Sequence, residues 1–200
     1  GIQDLQLFNV VDIDLKVAKE LAEAMVCTTC LKRVEFSSHN DPHGYEFAVL
    51  VEGLKRNRSV EAMEFNFCND GTSFPKRLRA LQEHPNLHSL TLKNVPEQVW
   101  EVLREWLSRE DCRLQHLEIG CVSYLRTFSR SMGRKVFESR SLKRLQLAHA
   151  NLSSNHLEEL CNAFPNVSVL SLQRNAICDL SPLESILCKE NCKIQELDLR

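Results

Sequence analysis

The chain has 200 residues, 43% of them apolar and 26% charged, with a formal net charge of −2. These are ordinary globular proportions, and they exclude a disordered chain, which could not bury enough apolar surface to offset its ordering entropy. A balance this close to neutral also argues against a general nucleic-acid binder, and no run of 18 apolar residues is present to cross a membrane.

One spacing runs the length of the chain: apolar, two of any kind, apolar, one of any kind, apolar. It opens with Ile2-Leu5-Leu7. Ala18, Leu21, Ala22 and Met25 then recur at helical intervals. The frame returns at Leu31-Val34-Phe36, and a second helix is read from Phe47, Leu50, Val51 and Leu54. Val60-Met63-Phe65 follows. The turn around Asp70–Arg79 is expected to be the weakest, because Gly71 and Pro75 interrupt its few helical apolar positions. After Leu87-Leu90-Leu92, Pro96-Glu97 marks a helix start and Val99, Leu103, Trp106 and Leu107 give its apolar stripe. Leu114-Leu117-Ile119 and Leu142-Leu145-Leu147 come next. Asn155-x-x-Glu158 then offers a weaker cap ahead of Leu157, Leu160 and Phe164. Val167-Leu170-Leu172 precedes Ser181-Pro-Leu-Glu184, which reads as a capping box with Pro at the first helical position. Ile194-Leu197-Leu199 closes the series. Successive frames begin 25–29 residues apart, and every frame position is Leu, Ile, Val, Met or Phe.

A short strand followed by a helix cannot bury its own apolar face, so such units must stack. The pattern resembles the leucine-rich repeat over residues 2–200. The unit length and the helix-to-strand passages Glu52–Val60 and Leu107–Leu114 are similar to the ribonuclease-inhibitor-like subclass. Leu160-Cys161-Asn162-Ala163-Phe164-Pro165-Asn166-Val167 resembles instead the F-box type of cysteine-containing repeat. The ninth position, Asn or Cys in the repeat, is Val10, His39, Cys68, Val95, Val122, Ala150 and Asn175, so only Cys68 and Asn175 follow the pattern. The resemblance implies an α/β leucine-rich-repeat solenoid, a horseshoe arc of about seven to eight repeats. Its parallel β-sheet would lie on the concave face and its helices on the convex face. Residues 1–200 are read as a single repeat domain truncated at both ends, since the frame begins and stops inside a strand.

In this register the fifth position of each unit projects from the concave face. That row is Gln6, Glu35, Glu64, Thr91, Glu118, Gln146, Ser171 and Asp198, with four acids and no base. It reads either as a groove for a basic protein ligand or as a polar surface that keeps the sheet soluble. Of aromatic anchors only Phe8 and Phe67 are expected beside it. The third positions are Asp4, Arg33, Ala62, Ser89, His116, Arg144, Val169 and Glu196. A basic stretch, Arg126, Arg130, Arg134, Lys135, Arg140, Lys143 and Arg144, is expected on one unit's convex helix and the loop after it. It would be a patch for an acidic protein or nucleic acid, or a solvated helix face.

The nine cysteines read as reduced, buried, hydrophobe-like thiols. Cys27-x-x-Cys30 and Cys188-x-x-x-Cys192 each resemble half a zinc site, but zinc needs four ligands around one point and the repeat keeps the pairs apart. His39-x-x-x-His43 and His84-x-x-x-His88 have helical metal spacing but fall in loops or across a loop and a strand. Cys121 and His149 occupy the eighth position of adjacent units, where thiol and imidazole could meet, as in activated cysteine nucleophiles. No H-E-x-x-H, Walker A, G-x-S-x-G or Rossmann glycine pattern supports catalysis. Sequons at Asn57, Asn151 and Asn166 mean little without a secretory signal, and none is visible at Gly1-Ile2-Gln3-Asp4.

The expectation is a non-enzymatic, intracellular (cytoplasmic) protein–protein interaction module with no cofactor, metal, small-molecule substrate, membrane or nucleic-acid partner. It would present its concave face to a protein ligand of basic character. The alternative is an intramolecular regulatory or structural segment of a larger receptor or adaptor, of the nucleotide-binding immune or F-box type.

Overall fold

A computed structural model of the chain describes residues 1–10, 13–38, 44–67, 73–94, 98–120, 139–150, 152–188 and 190–200. Its strands are β1 (Asp4–Phe8), β2 (Arg33–Ser38), β3 (Ala62–Phe67), β4 (Ser89–Lys93), β5 (His116–Gly120), β6 (Arg144–Ala148), β7 (Val169–Ser171) and β8 (Glu196–Asp198). Between them lie α1 (Leu15–Cys27), α2 (Tyr45–Arg56), α3 (Phe74–Leu81), α4 (Val99–Leu107), α5 (Asn155–Ala163) and α6 (Ser181–Leu187). The eight strands form one sheet in sequence order, and every adjacent pair is parallel. Register follows the frame throughout: Leu5 pairs with Val34, Met63 with Leu90, Leu117 with Leu145 and Leu170 with Leu197.

The two-residue period of a strand separates its faces. The fourth and sixth frame positions point into the coil and are buried from Val34 and Phe36 through Leu145 and Leu147. The fifth points away and keeps solvent contact in most units. Helices bury the stripes the spacing marked: Ala18, Ala22 and Met25 on α1, and Phe47, Leu50, Val51 and Leu54 on α2. A Cβ on Gly53 would lie 2.8 Å from the Ala22 Cα, so only glycine lets α1 and α2 approach this closely. Strands stand ~4.8 Å apart and packed helices ~8–10 Å apart, so the stack bends with the sheet on its inner side.

Units two and three hold an aromatic cluster. Phe36 stacks on Phe65 at 5.5 Å, Phe47 meets Phe36 edge-on at 5.3 Å, and Phe74 lies 5.1 Å from Phe67. Such pairs add roughly 0.5–1.5 kcal/mol each beyond their buried area. The Arg77 guanidinium stands 5.1 Å over the Phe47 ring. Phe67 is therefore core, not a concave-face anchor, because β3 runs one residue past the frame and carries it inward. β2 does the same with Ser38. In units one, four, six and seven the eighth position instead turns left-handed, at Asn9, Asn94, His149 and Arg174 (φ 52–56°). There its N–H still bonds the next strand's end, as from Asn9 to the Ser37 carbonyl at 2.8 Å.

Several local expectations change. Pro75 sits in the first turn of α3, where its missing N–H is harmless, and Phe74, Pro75, Leu78 and Leu81 are all buried. That segment is well packed from residue 74 onward, while 70–72 lie outside the described residues. Ser181 is inside α6 rather than its cap. The Asp179 carboxylate accepts from the Ser181 N–H and hydroxyl at 2.9 and 2.6 Å and forms the turn. Asn155 likewise begins α5 and does not cap it; the Ser153 N–H donates to His156 Nδ1 at 2.9 Å. The helix start at Pro96-Glu97 lies outside the described residues. The described cysteines are free and exposed or half-buried rather than fully buried, since they fall at helix ends and loops; Cys68 and Cys121 are outside that set.

Two asparagines hold the loops together. Asn57 is fully buried and donates to the Met25 and Thr28 carbonyls at 2.6 and 2.9 Å. Its side-chain oxygen accepts from the Ser59 and Val60 N–H groups at 2.7 and 2.8 Å, so this sequon is inaccessible in the folded chain. Asn175, at the ninth position, donates to the Leu147 carbonyl at 2.7 Å and accepts from the Ala150 and Leu152 N–H groups at 2.9 and 3.1 Å. Val10 and Ala150, at that same position in their units, are simply buried.

His84 is buried beside this network. The Asn86 N–H donates to its Nδ1 at 3.3 Å, and its Nε2 has no hydrogen-bond partner within 3.5 Å among the described residues. Burial, with the Arg58 charge adding to it, pushes its pKa down to about 4. The unfolded imidazole titrates near 6.5, so between about pH 6.5 and pH 4 the unfolded chain binds a proton that the folded chain refuses. Stability from this group is complete above pH 6.5 and falls with pH across that window, by about 2 kcal/mol after solvent screening at the loop rim. Melting temperatures of the protein and of His84→Leu between pH 7.5 and 4 check this. The substitution is expected to flatten that part of the profile, and an unchanged pH dependence would place its source elsewhere.

Candidate functional site on the sheet face

The fifth-position residues form one row across the sheet. Gln6 pairs with Glu35, Glu35 with Glu64, Glu64 with Thr91, Thr91 with Glu118, Glu118 with Gln146, Gln146 with Ser171, and Ser171 with Asp198. Parallel pairing at equal unit position is what aligns them. Ser171 is buried, Gln6 is exposed and the others are half-buried. Phe8 is exposed at the end of β1.

The row is less acidic than its composition. The Lys93 ammonium donates to Glu64 at 2.6 Å from the seventh position of the next strand. That bond raises the lysine pKa, and the charges of Glu64, Glu118 and Glu35 raise it further. Asp198 is forked by Arg200 at 2.9 and 3.0 Å and accepts from Gln173, which together hold its carboxyl far below the usual range. Among the described residues Glu35 accepts only from neutral donors, Gln6 Nε2 and the Ser37 hydroxyl, both at 3.0 Å. Glu118 makes no ion pair among the described residues. Glu35 and Glu118 are thus the glutamates of the row that form no ion pair among the described residues.

A second charge pattern lies at the N-terminal ends of the strands. Lys32 bonds Glu61, and His88 Nε2 stands 3.9 Å from that carboxylate. Arg33 faces Asp4 at 3.7 Å. On β5 and β6, His116 pairs in register with Arg144. Burial, then the Arg144, His88 and Lys143 charges, lower the His116 pKa. Arg144 is both the third position of its unit and the last residue of the basic stretch. Arg144 opens β6 with Lys143 just before it, so both reach the strand edge of the sheet. The remainder of that basic stretch, 126–135, lies outside the described residues, apart from Arg140 in the loop before β6.

Cys121 is outside the described residues; His149 is exposed, with its Nε2 3.2 Å from Arg174 Nη1. His39 and His43 are also outside them, and His84 is buried while His88 Nδ1 meets the Asn86 carbonyl at 3.0 Å. Among the described residues no group of three His, Cys, Asp or Glu side chains could hold a metal. No helix there is long and apolar enough to cross a membrane.

One parallel strand per unit, in sequence order, with helices returning on the other side, is the architecture of a leucine-rich-repeat solenoid. Among solved structures the chain is similar to an internalin (InlF) of Listeria monocytogenes, at 15% identity and a TM-score of 0.45 over 88% of this chain. The chain spans about half of that protein, 49% of its length. No family model matches the chain, and no curated protein matches it.

Proposed function

We propose that this arc is a non-catalytic protein-binding module whose fifth-position row receives a basic segment of a protein ligand. The supporting observation is the in-register row itself: side chains from eight strands face one way on a sheet whose other side is already filled by the core. Such a surface is ordered before the ligand arrives, so little ordering cost accompanies binding. Within the row, Glu35 and Glu118 supply the attraction, since Lys93 and Arg200 offset Glu64 and Asp198. Units of 25–29 residues with a helix in most of the described ones support a ribonuclease-inhibitor-like subclass, and one continuous sheet supports a single domain.

The test is a quantitative pull-down at two salt concentrations, comparing the protein with a Glu35→Lys, Glu118→Lys variant of equal melting temperature. Glu64 is left in place, because replacing it would release Lys93. A basic protein retained by the unmodified chain alone, and lost with salt, is the expected result. Equal retention by both would reduce the row to a solubilising surface.

A further inference from the structure

We propose that the strand-entry edge of units four to six, built from His88, His116, Lys143 and Arg144, docks an acidic segment of a partner polypeptide. The proposal rests on the sheet face being the binding face, and it names a second, oppositely charged contact on it.

Four cations elsewhere on this face are matched within the chain: Lys32 with Glu61, Arg33 with Asp4, Lys93 with Glu64 and Arg200 with Asp198. Lys143, Arg144 and His116 make no ion pair among the described residues, yet they stand together. The backbone fixes this. The Gln115 and His116 N–H groups donate to the His88 carbonyl at 2.8 and 2.9 Å, and those of Lys143 and Arg144 to the Gln115 carbonyl at 2.8 and 2.9 Å. Four basic side chains therefore occupy three neighbouring strand entries, each ~4.8 Å from the next. Glu61, which reaches His88, is already engaged by Lys32. At pH 7 the Lys143 and Arg144 charges dominate this edge, and among the described residues neither has an ion-pair partner.

The neighbouring row identifies the anion. Glu118 lies two residues along the strand from His116, ~7 Å away, and Glu64 and Glu35 continue the row beyond it. A continuous polyanion such as a nucleic-acid backbone would meet those carboxylates. A peptide with spaced acidic residues can set them on the cationic edge and turn neutral or basic residues to the row. No Phe, Tyr or Trp occupies the third, fifth or seventh positions of units four to six, so these positions offer bases no stacking platform.

The probe is a fluorescein-labelled decapeptide of alternating Glu and Ser, titrated by anisotropy with the whole chain at pH 7 and low salt. Lys143→Glu, Arg144→Glu is expected to weaken binding roughly tenfold or more. Lys16→Glu, Lys19→Glu, the same charge change on α1, is expected to leave it within about twofold. No measurable binding by the unmodified chain, or equal weakening by both variants, overturns the proposal. Tighter binding of a ten-residue oligothymidylate than of the peptide also overturns it, in favour of nucleic acid. The acidic row is tested through Glu35 and Glu118 and this edge through Lys143 and Arg144, so either reading can fall without the other.

Discussion

Leu117→Asp is expected to abolish the cooperative melting of this protein. Leu117 sits mid-strand on β5, 1% exposed, between Leu90 of β4 and Leu145 of β6 in register. Removing the leucine side chain alone costs about 2–5 kcal/mol, by lost transfer energy and the cavity left behind. The aspartate adds an unpaired carboxyl that must either ionise in apolar surroundings or protonate at neutral pH, several kcal/mol in either case. The sum is comparable with the ~5–15 kcal/mol that holds a domain folded. Thermal unfolding followed by circular dichroism measures it. Glu118→Ala, one residue on and pointing the other way, is the matched control and should melt within a few degrees of the parent. A Leu117→Asp protein that melts normally would mean the strand register is off by one.

The second large effect is Asn57→Leu, expected to lower stability by roughly 4 kcal/mol. The substitution keeps the γ-branched shape but strands the Ser59 and Val60 N–H groups and the Met25 and Thr28 carbonyls, all of which Asn57 serves. Each buried backbone group left unpaired costs about 1–3 kcal/mol, and local relaxation recovers part of the total. Asn57→Asp keeps the acceptor but turns a donor pair into a charge aimed at two carbonyls, so it should do no better. Urea midpoints of the three proteins decide the matter. A loss below about 1 kcal/mol would show that water replaces the side chain at this loop.

The frame of three apolar positions was enough to read eight strands, their order and their register, because burial on one face of a strand leaves no freedom to slip by one residue. It was not enough to read where strands end. Met63, Phe65 and Phe67 continue the two-residue alternation past the frame, and that period was the available signal for placing Phe67 inside. Asn57 lies three residues ahead of its frame, where the sequence shows only a sequon; its role depends on carbonyls some thirty residues earlier in the chain. The acidic row was legible as a row. Its partial neutralisation was not, because Lys93 and Glu64 meet diagonally between a seventh and a fifth position of neighbouring strands. Pro75 read as an interruption because the same residue ends a helix from within and begins one from its first turn.

The two asparagine clamps bear on how such an array can change by duplication. Asn57 belongs to the second unit by sequence but serves carbonyls of the first, and Asn175 belongs to the seventh but serves the sixth. A segment copied along the leucine frame therefore carries a donor set matched to its old predecessor and leaves behind a neighbour whose loop was held from outside. A unit copied in after the sixth with alanine at its ninth position would leave the Ala150 and Leu152 N–H groups without an acceptor. The leucines make the units look interchangeable, while these clamps tie each to its place in line. Exchange of whole units is then resisted at such joints, those held by Asn57 and Asn175 among them.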